Sequence, residues 1–193
     1  MQGPEAPAEL GNEPWTVRLA LGRAEDLGKV VDRLRIMTYD YSWRGSDPGP
    51  IAPLHWVQSV AEYARTVVDP AKIQIGISFY AYDWGQTGLA YSWTWTEVQE
   101  IINDHQPEVT LVEQDAFGLV QESKFYYGDR TVWFSNYRSL EAKLDMVRDM
   151  DLAGIAIWRL GNEDPKNWSI IRTSLQQDPV IIQRTINRYI PDR

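Results

Sequence analysis

The sequence predicts an α/β fold in which parallel strands alternate with helices. Three apolar segments of strand length, residues 34–41, 72–82 and 152–160, become polar at their C-terminal ends. Apolar residues recur at helical spacing in residues 54–68 and again after Ser139. Because buried strands separated by helices are typical of parallel sheets, we expect βα units whose strand ends share one rim.

The composition is that of a folded chain with an acidic surface. The 193 residues are 44% apolar and 24% charged, which fits one globular domain with a core. Lys and Arg total 19 against 27 Asp and Glu, a formal net charge of -8. This charge repels phosphate backbones and anionic lipid, so we expect neither nucleic acid nor a membrane as a partner.

The sequence offers few metal ligands and no targeting signal. It has no cysteine and two histidines, so we expect no thiolate or multi-histidine metal site and no cofactor. No apolar run approaches the roughly 20 residues that span a bilayer. Residues 1–10 lack the basic and apolar regions of a signal peptide, and the compartment therefore stays open.

The predicted elements begin after a lead-in. Residues 1–14 contain three prolines and no periodicity, which predicts a flexible segment. Alternation over residues 16–21 predicts a strand, and residues 24–31 a short helix. Residues 34–41 form the next predicted strand, and the five Gly and Pro of residues 43–53 predict a rigid loop.

The second half of the chain continues the βα pattern after an interruption. The helix over residues 54–68 ends at Asp69-Pro70, and the strand over 72–82 follows. Ser139 is predicted to cap the next helix, which leads to the buried strand over 152–160. A last helix is expected to open at Asp178-Pro179.

The interruption, residues 85–130, predicts a small α+β lobe. Thr96 and Gln99 are spaced as a capping box for a short helix. The neighbouring segments rich in β-branched and aromatic residues, which predict strands, are residues 109–112, 123–127 and 131–134.

Aromatic residues and the polar strand ends indicate a ligand site. Nine Trp and ten Tyr stand beside four Phe, a balance that suits sugar binding, although a Trp-rich core would give the same composition. The polar strand ends expected on the shared rim are Tyr39, Asp40, Tyr41, Tyr80, Tyr82, Asp83, Trp84, Trp158, Arg159, Glu163 and Asp164.

Four segments resemble successive motifs of family 18 glycoside hydrolases, the chitinase-like enzymes, and in particular their spore-germination, cortex-lytic branch: MTYDY, PGPIAPLHW, IGISFYAYDW and GIAIWRLGNED. The resemblance covers residues 17–168. It implies the C-terminal half of the family's (β/α)8 TIM-type barrel, strands 5 to 8, with an α+β insertion. The implied division is a lead-in at 1–14, a partial barrel at 15–86 and 131–193, and an insertion at 87–130.

The resemblance also implies an activity and a set of site residues. Such enzymes hydrolyse β-1,4 bonds next to N-acetylglucosamine in chitin or peptidoglycan, and the substrate's own acetamido group acts as nucleophile. By position, Tyr39 would donate to the acetamido group and Asp40 would contact the sugar, as supporting catalytic residues. The substrate-binding residues by the same resemblance are Met37, Tyr80, Tyr82, Trp84 and Trp158.

A purely structural role stays open for several of these residues. Tyr39 could be a core ring and Asp40 a loop cap, while Trp158 could be a core ring rather than the floor of the sugar site. Asp83-Trp84 could be a hinge into the lobe with some sugar contact. The rings of Trp93 and Trp95, which lie in the lobe sequence, could stack on distal sugars or anchor the lobe.

The family's acid is the point of departure. In the family the proton donor lies in an Asp-x-x-Asp-x-Asp-x-Glu segment at the end of strand four, and this sequence has no such run of carboxylates. We expect the chain to begin near strand five and to be inactive alone. Glu163 and Asp164 could replace the missing acid, but are expected to hold the loop after strand eight.

Three functions therefore remain after the sequence is considered. The chain could be part of a split or truncated hydrolase, a carbohydrate-binding pseudoenzyme, or an assembly module. The expected ligand is an N-acetylglucosamine-containing oligosaccharide. Because a half barrel exposes strand edges near Thr16 and Ile155, we also expect pairing with an N-terminal half or with a second copy.

Overall fold

The computed structural model describes residues 24–176. The predicted lead-in, the strand over residues 16–21 and the helix opened by Asp178-Pro179 lie outside the described residues.

Five α-helices and eight strands make up the described chain, with a short 3-10 turn at Pro70–Lys72. In chain order they are α1 (Ala24–Val30), β1 (Leu34–Ile36), α2 (Leu54–Val67), β2 (Ile73–Ser78), β3 (Ala81–Trp84), β4 (Tyr91–Trp93), α3 (Trp95–His105), β5 (Thr110–Asp115), β6 (Gly118–Tyr127), β7 (Arg130–Phe134), α4 (Tyr137–Asp149), β8 (Gly154–Trp158) and α5 (Asn167–Gln176).

A three-stranded parallel sheet in the order β1-β2-β8 forms the first part of the fold. Ile36 pairs with Ile75, and Ile75 pairs with Ile155. The helices α2 and α4 lie in the connections between these strands, so the predicted βα pattern is present. Within residues 24–176 the three strands do not close a barrel.

The core of this part lies between the sheet and its helices. Val57, Val60 and Ala64 recur at three- and four-residue steps on α2 and are buried against the β2 side chains Ile73 and Ile75. Each fully buried aliphatic side chain contributes about 1.5–3 kcal/mol relative to exposure. The hydrophobic periodicity that predicts α2 is therefore also the contact that fixes it on the sheet.

A five-stranded antiparallel sheet in the order β4-β3-β7-β6-β5 forms the lobe. Helix α3 covers one face, where Val98 packs with Phe125 and Phe134. The lobe's sheet takes in β3 and β7, so it extends beyond residues 87–130 on both sides.

The prediction of one strand over residues 72–82 is wrong. β2 ends at Ser78, and β3 begins at Ala81 in the other sheet. Residues 34–41 are likewise not strand throughout, since β1 ends at Ile36. Asp40 has φ 62, a left-handed conformation that an extended strand does not contain.

Two helix caps also differ from the prediction. Thr94, not Thr96, caps α3 and forms the capping box with Glu97. Asn136 caps α4, while Ser139 is the third residue of that helix and bonds back to the cap. In both cases the true cap has an extended backbone, whereas the predicted cap already lies inside the helix.

The end of the described chain adds two further differences. β8, predicted as a buried strand, is only partly buried because it pairs with β2 on one side in the described sheet. Helix α5 was not predicted. The longest described helix, α2, has 14 residues, and no helix within residues 24–176 is long and apolar enough to cross a membrane.

Candidate functional site

The candidate site lies where β1 and β2 end and β3 begins. The Asp40 carboxylate accepts hydrogen bonds at Oδ1 from the hydroxyls of Tyr80 and Tyr82, the latter at 2.9 Å. Asp40 therefore meets two tyrosines that lie 40 and 42 positions later in the sequence. We call Asp40, Tyr80 and Tyr82 the Asp40 cluster.

Aromatic rings extend the Asp40 cluster into a continuous wall. The ring centroids of Tyr39 and Tyr80 are 6.2 Å apart in an edge-on arrangement, and those of Tyr80 and Tyr82 are 5.1 Å apart. The Trp84 ring follows at 5.6 Å from Tyr82. These distances are those of favourable aromatic pairs, so each ring fixes the orientation of the next.

Gly76 permits the close approach of Tyr39 to β2. A Cβ at position 76 would lie 2.6 Å from the Ile36 carbonyl oxygen and 2.9 Å from Cε1 of Tyr39. Thr38, which is buried, donates to the Gly76 carbonyl at 2.8 Å and fixes the segment before Asp40. The glycine in the sequence motif is thus required by packing beside the site.

Burial raises the pKa of the tyrosine hydroxyls at the site. Desolvation, and then the negative charge of Asp40, raise the pKa of Tyr80 and of Tyr82 far above the usual tyrosine value. The same two causes raise the pKa of Tyr39. At neutral pH all three hydroxyls are hydrogen-bond donors.

Trp158 and Met37 are the exposed members of the predicted set. Trp158 is the last residue of β8 and pairs with Ser78 at the end of β2. Its side chain is 57% exposed. Its carbonyl accepts from the Phe79 amide at 2.7 Å, which ties it to the segment leading to Tyr80. Met37 is 68% exposed. Trp158 is therefore not a core ring in the described structure.

Trp84 differs from the other predicted binding residues. It is 3% exposed, and its indole Nε1 is buried without a hydrogen-bond partner in the described structure. Its ring packs beside Tyr82 and is not open to solvent. Tyr80 and Tyr82 are also buried, so a ligand would meet the edge of this wall rather than the full face of each ring.

Asp83 lies on the opposite face of β3 from the Asp40 cluster. It is fully buried and accepts from Trp93 Nε1 at 2.9 Å, the Tyr127 hydroxyl at 2.6 Å and Arg130 Nε at 2.8 Å. Burial and this hydrogen bond raise the pKa of Tyr127 to about 12. Asp83 thus joins four lobe strands, and Trp93 belongs to this network through its indole N–H.

Glu163 and Asp164 are engaged by the loop after β8. Glu163 accepts from the Gly161 amide at 2.6 Å and from Trp168 Nε1 at 3.0 Å. Asp164 is buried and accepts from the amides of Tyr137 and Lys166. Both carboxylates hold the loop in place, as the sequence analysis expected.

Glu122 is a site-adjacent residue that the sequence analysis missed. It is fully buried on β6 and accepts from the amides of Ile51 and Ala52 at 2.7 and 3.1 Å. Lys143 Nζ lies 3.5 Å from its Oε1, and Ser135 Oγ lies 3.2 Å from the same oxygen. No local pattern marks Glu122, because its partners come from three distant segments.

The loop held by Glu122 runs back to the Asp40 cluster. The Ile51 carbonyl accepts from the Tyr41 amide at 2.8 Å, directly after Asp40. Glu122 therefore connects the lobe to the rim loop beside the candidate site.

A groove of about 740 Å³ lies elsewhere, between α2, α4 and the β5–β6 hairpin. Leu54, Leu119 and Met146 contribute to its lining, and no residue of the predicted site does. Among residues 24–176 no group of His, Asp and Glu side chains is arranged to hold a metal ion.

The arrangement suits binding and orientation of a polar ring. It offers tyrosine donors, an aromatic wall and the exposed indole of Trp158 at the joined strand ends. The carboxylates that the sequence placed on the rim are all hydrogen-bonded: Asp40 by two tyrosines, Asp83 by three lobe side chains, and the candidate replacement acids Glu163 and Asp164 by the loop.

Comparison with known proteins gives consistent matches. The family model Glycosyl hydrolases family 18 matches residues 12–163. The cortical fragment-lytic enzyme of Bacillus subtilis (strain 168) is 30% identical over 154 residues, which is 75% of this chain and 35% of that protein.

Two solved structures share the fold. The Bacillus cereus spore cortex-lytic enzyme SleL matches with a TM-score of 0.70 at 25% identity, over 78% of this chain and 36% of that chain. A chitinase from Chromobacterium violaceum ATCC 12472 matches with a TM-score of 0.70 at 32% identity, over 80% and 49%. This chain thus spans between 35% and 49% of the length of these relatives.

Proposed function

This chain belongs to family 18 of the glycosyl hydrolases, and from that membership we propose that it forms the sugar-binding part of a hydrolase acting on N-acetylglucosamine polymers. The relatives include cortex-lytic enzymes and a chitinase, which supports polymers of this sugar class. The residues of the candidate site connect this family-level function to this chain.

The observation that carries the proposal is the Asp40 cluster beside the exposed Trp158. Protonated tyrosine hydroxyls and a carboxylate bind sugar hydroxyls and amides, while an open indole face stacks on the apolar face of a pyranose. The cluster lies at the ends of β1 and β2, and Trp158 ends the adjacent parallel strand.

The roles proposed for individual residues come from the resemblance to family 18, and this placement supports them. Tyr39 donates its hydroxyl to the acetamido group of the sugar, and Asp40 orients that group together with Tyr80. Trp158 forms the floor under the sugar, while Met37 is an exposed contact at the rim. The edges of Tyr82 and Trp84 form the wall.

We propose that the proton donor for glycosidic cleavage comes from outside these 193 residues. The sequence contains no Asp-x-x-Asp-x-Asp-x-Glu segment, and Glu163 and Asp164 are occupied by loop amides and an indole. In the described sheet β8 pairs only with β2, so its other edge is open to a further strand. A segment that pairs there could bring the acid.

The binding test compares Trp158→Ala with Phe117→Ala by calorimetric titration of an N-acetylglucosamine tetramer. Both side chains are exposed aromatics, but Phe117 lies at the β5–β6 turn. We expect Trp158→Ala to weaken binding at least about tenfold, because truncating a central aromatic anchor costs about 2 kcal/mol or more. Phe117→Ala should bind as the unchanged chain does, and equal affinity of all three proteins would refute the role of Trp158.

A carbohydrate-binding pseudoenzyme is the second candidate, favoured by the occupied rim carboxylates. Such a protein keeps the aromatic site but needs no acid. Adding a family 18 N-terminal half distinguishes the two candidates. It would restore hydrolysis to a split enzyme but not to a pseudoenzyme.

A further inference from the structure

Three side chains form a row across the lobe sheet, starting at the candidate site. Tyr82 on β3 pairs with Trp133 on β7, and Trp133 pairs with Lys124 on β6. Directly paired residues lie on the same face of a sheet, so all three side chains share one face. We call Tyr82, Trp133 and Lys124 the lobe row.

The face of the lobe row is the one directed at the candidate site. Trp133 is buried in the same cluster as Tyr80 and Tyr82, with Tyr39 packed against it. The opposite face carries Phe125 and is covered by α3. The lobe row therefore continues the aromatic wall of the site rather than the hydrophobic core of the lobe.

Lys124 places a held ammonium group at the end of this row. Its Nζ lies 5.3 Å from the ring centroids of both Trp133 and Tyr126, and it donates to the Tyr126 hydroxyl at 3.0 Å. An ammonium has three donors, so this single hydrogen bond leaves others for a ligand. Two aromatic rings fix the cation without neutralising it.

No carboxylate within residues 24–176 forms a salt bridge with Lys124. Glu122 is two residues earlier on the same face, but it is fully buried and paired with Lys143. A second cation, Arg44, lies near the other end of the row, where its charge offsets part of the rise in the pKa of Tyr82 that burial and Asp40 cause. Arg44 also has no salt bridge in the described part of the chain, and its Nε donates to the Ala90 carbonyl.

These cations stand out against the charge of the whole chain. The formal net charge is -8, which on average repels anions.

Neighbouring strands are about 4.8 Å apart, so the backbone of Lys124 lies about 10 Å from that of Tyr82. A cation at that offset would meet a substituent on a neighbouring sugar rather than the sugar bound at the Asp40 cluster.

We propose that Lys124, supported by Tyr126, recognises a carboxylate on the bound glycan and so determines a preference for anionic over neutral N-acetylglucosamine-containing polymers. This inference rests on the proposed function, because it concerns the same cleft. The carboxylate can be the lactyl group of N-acetylmuramic acid or a carboxylate of the stem peptide. Chitin carries neither.

The experiment titrates three oligosaccharides of equal sugar number into the full chain. They are an N-acetylglucosamine tetramer, an alternating N-acetylglucosamine and N-acetylmuramic acid tetramer, and the same tetramer with tetrapeptide stems. We expect the chain to bind one of the two anionic ligands about fivefold more tightly than the neutral one, as a partly exposed charge pair provides. Preference for the second ligand identifies the lactyl group, and preference for the third identifies the stem peptide.

Two variants assign the preference to Lys124. Lys124→Met keeps the aliphatic stem but removes the charge, so it should lose the preference while its affinity for the neutral tetramer is unchanged. Lys124→Arg should retain the preference. Lys29→Met, on α1, is the matched control and should behave as the unchanged chain.

The outcomes separate this inference from the function on which it rests. Equal affinity of the unchanged chain for all three ligands, or equal losses for neutral and anionic ligands in Lys124→Met, overturns the role of Lys124 but leaves sugar binding intact. Failure to bind any of the three overturns the proposed function itself, and the inference with it.

Discussion

Asp40 combines an unusual backbone conformation with a central position in the proposed site. Its φ of 62 is unusual for a residue other than glycine and costs of order 1 kcal/mol. Hydrogen bonds from Tyr80 and Tyr82 offset this cost, since each bond to a charged group contributes about 1.5–3 kcal/mol. The turn at Asp40 directs the carboxylate at the hydroxyls of Tyr80, just before β3, and of Tyr82 on β3.

The first prediction at the residue scale concerns alkaline pH. The pKa of Tyr80 and Tyr82 is raised in the folded chain above the unfolded value of about 10. Above pH 10 the unfolded state loses these protons first, so stability is full below pH 10 and falls as pH rises further. Urea unfolding between pH 7 and 11 measures this loss.

The control for this prediction replaces both hydroxyls. Tyr80→Phe/Tyr82→Phe should lower the free energy of unfolding at pH 7 by about 3 kcal/mol or more, since two hydrogen bonds to a carboxylate are lost. It should also flatten the decline above pH 10, leaving the contributions of Tyr39, whose pKa is raised, and of Tyr127, whose pKa is raised to about 12. An equally steep decline in the double variant would contradict the assignment.

At the scale of elements, the Glu122–Lys143 pair joins β6 to α4 and to the loop after Asp40. Lys143 is fully buried, and desolvation lowers its pKa despite the opposing effect of Glu122. Because Glu122 also accepts two loop amides, its carboxylate has partners that Lys143 lacks. Loss of the lysine therefore leaves a buried charge that is hydrogen-bonded but not neutralised.

Replacing Lys143 tests the contribution of the Glu122–Lys143 pair to stability. Lys143→Met should lower the free energy of unfolding by about 3 kcal/mol, because breaking a buried pair leaves an uncompensated charge. Glu122→Gln/Lys143→Met should be less destabilised than Lys143→Met alone, since the remaining side chain is neutral. Urea unfolding of the three proteins at pH 7 measures the difference, and a double variant less stable than Lys143→Met would contradict it.

The boundaries of elements show what local patterns can predict. Helix α2 was predictable because its apolar spacing is also its buried face. The division of residues 72–82 between β2 and β3 was not, because no glycine or proline lies between Ser78 and Ala81 to mark the change of sheet. Burial on both sides of that change produces one continuous apolar segment.

Across the whole chain, the site residues also divide into those that local sequence patterns predict and those that they do not. Tyr39, Asp40 and Tyr80 were predictable because they end apolar segments and match a family motif, and the structure brings them together. Glu122 and Lys124 were not, because alternation along β6 gives no sign of which face meets the cleft. That information comes only from pairing with β7.

The membership of family 18 and the geometry of the rim together give the account of the whole chain. Three parallel strands bring tyrosines, one carboxylate and an open indole to one edge, and the lobe adds a cation to the wall. The proposed result is a site that holds an acetylated sugar but depends on another segment for its proton donor.

The most direct measurement incubates the chain alone with an N-acetylglucosamine tetramer and follows both binding heat and released products. We expect saturable binding with no detectable cleavage products. A chain that cleaves the tetramer must contain its own acid, and a chain that gives no binding heat has no sugar site. Either result would contradict the central claim.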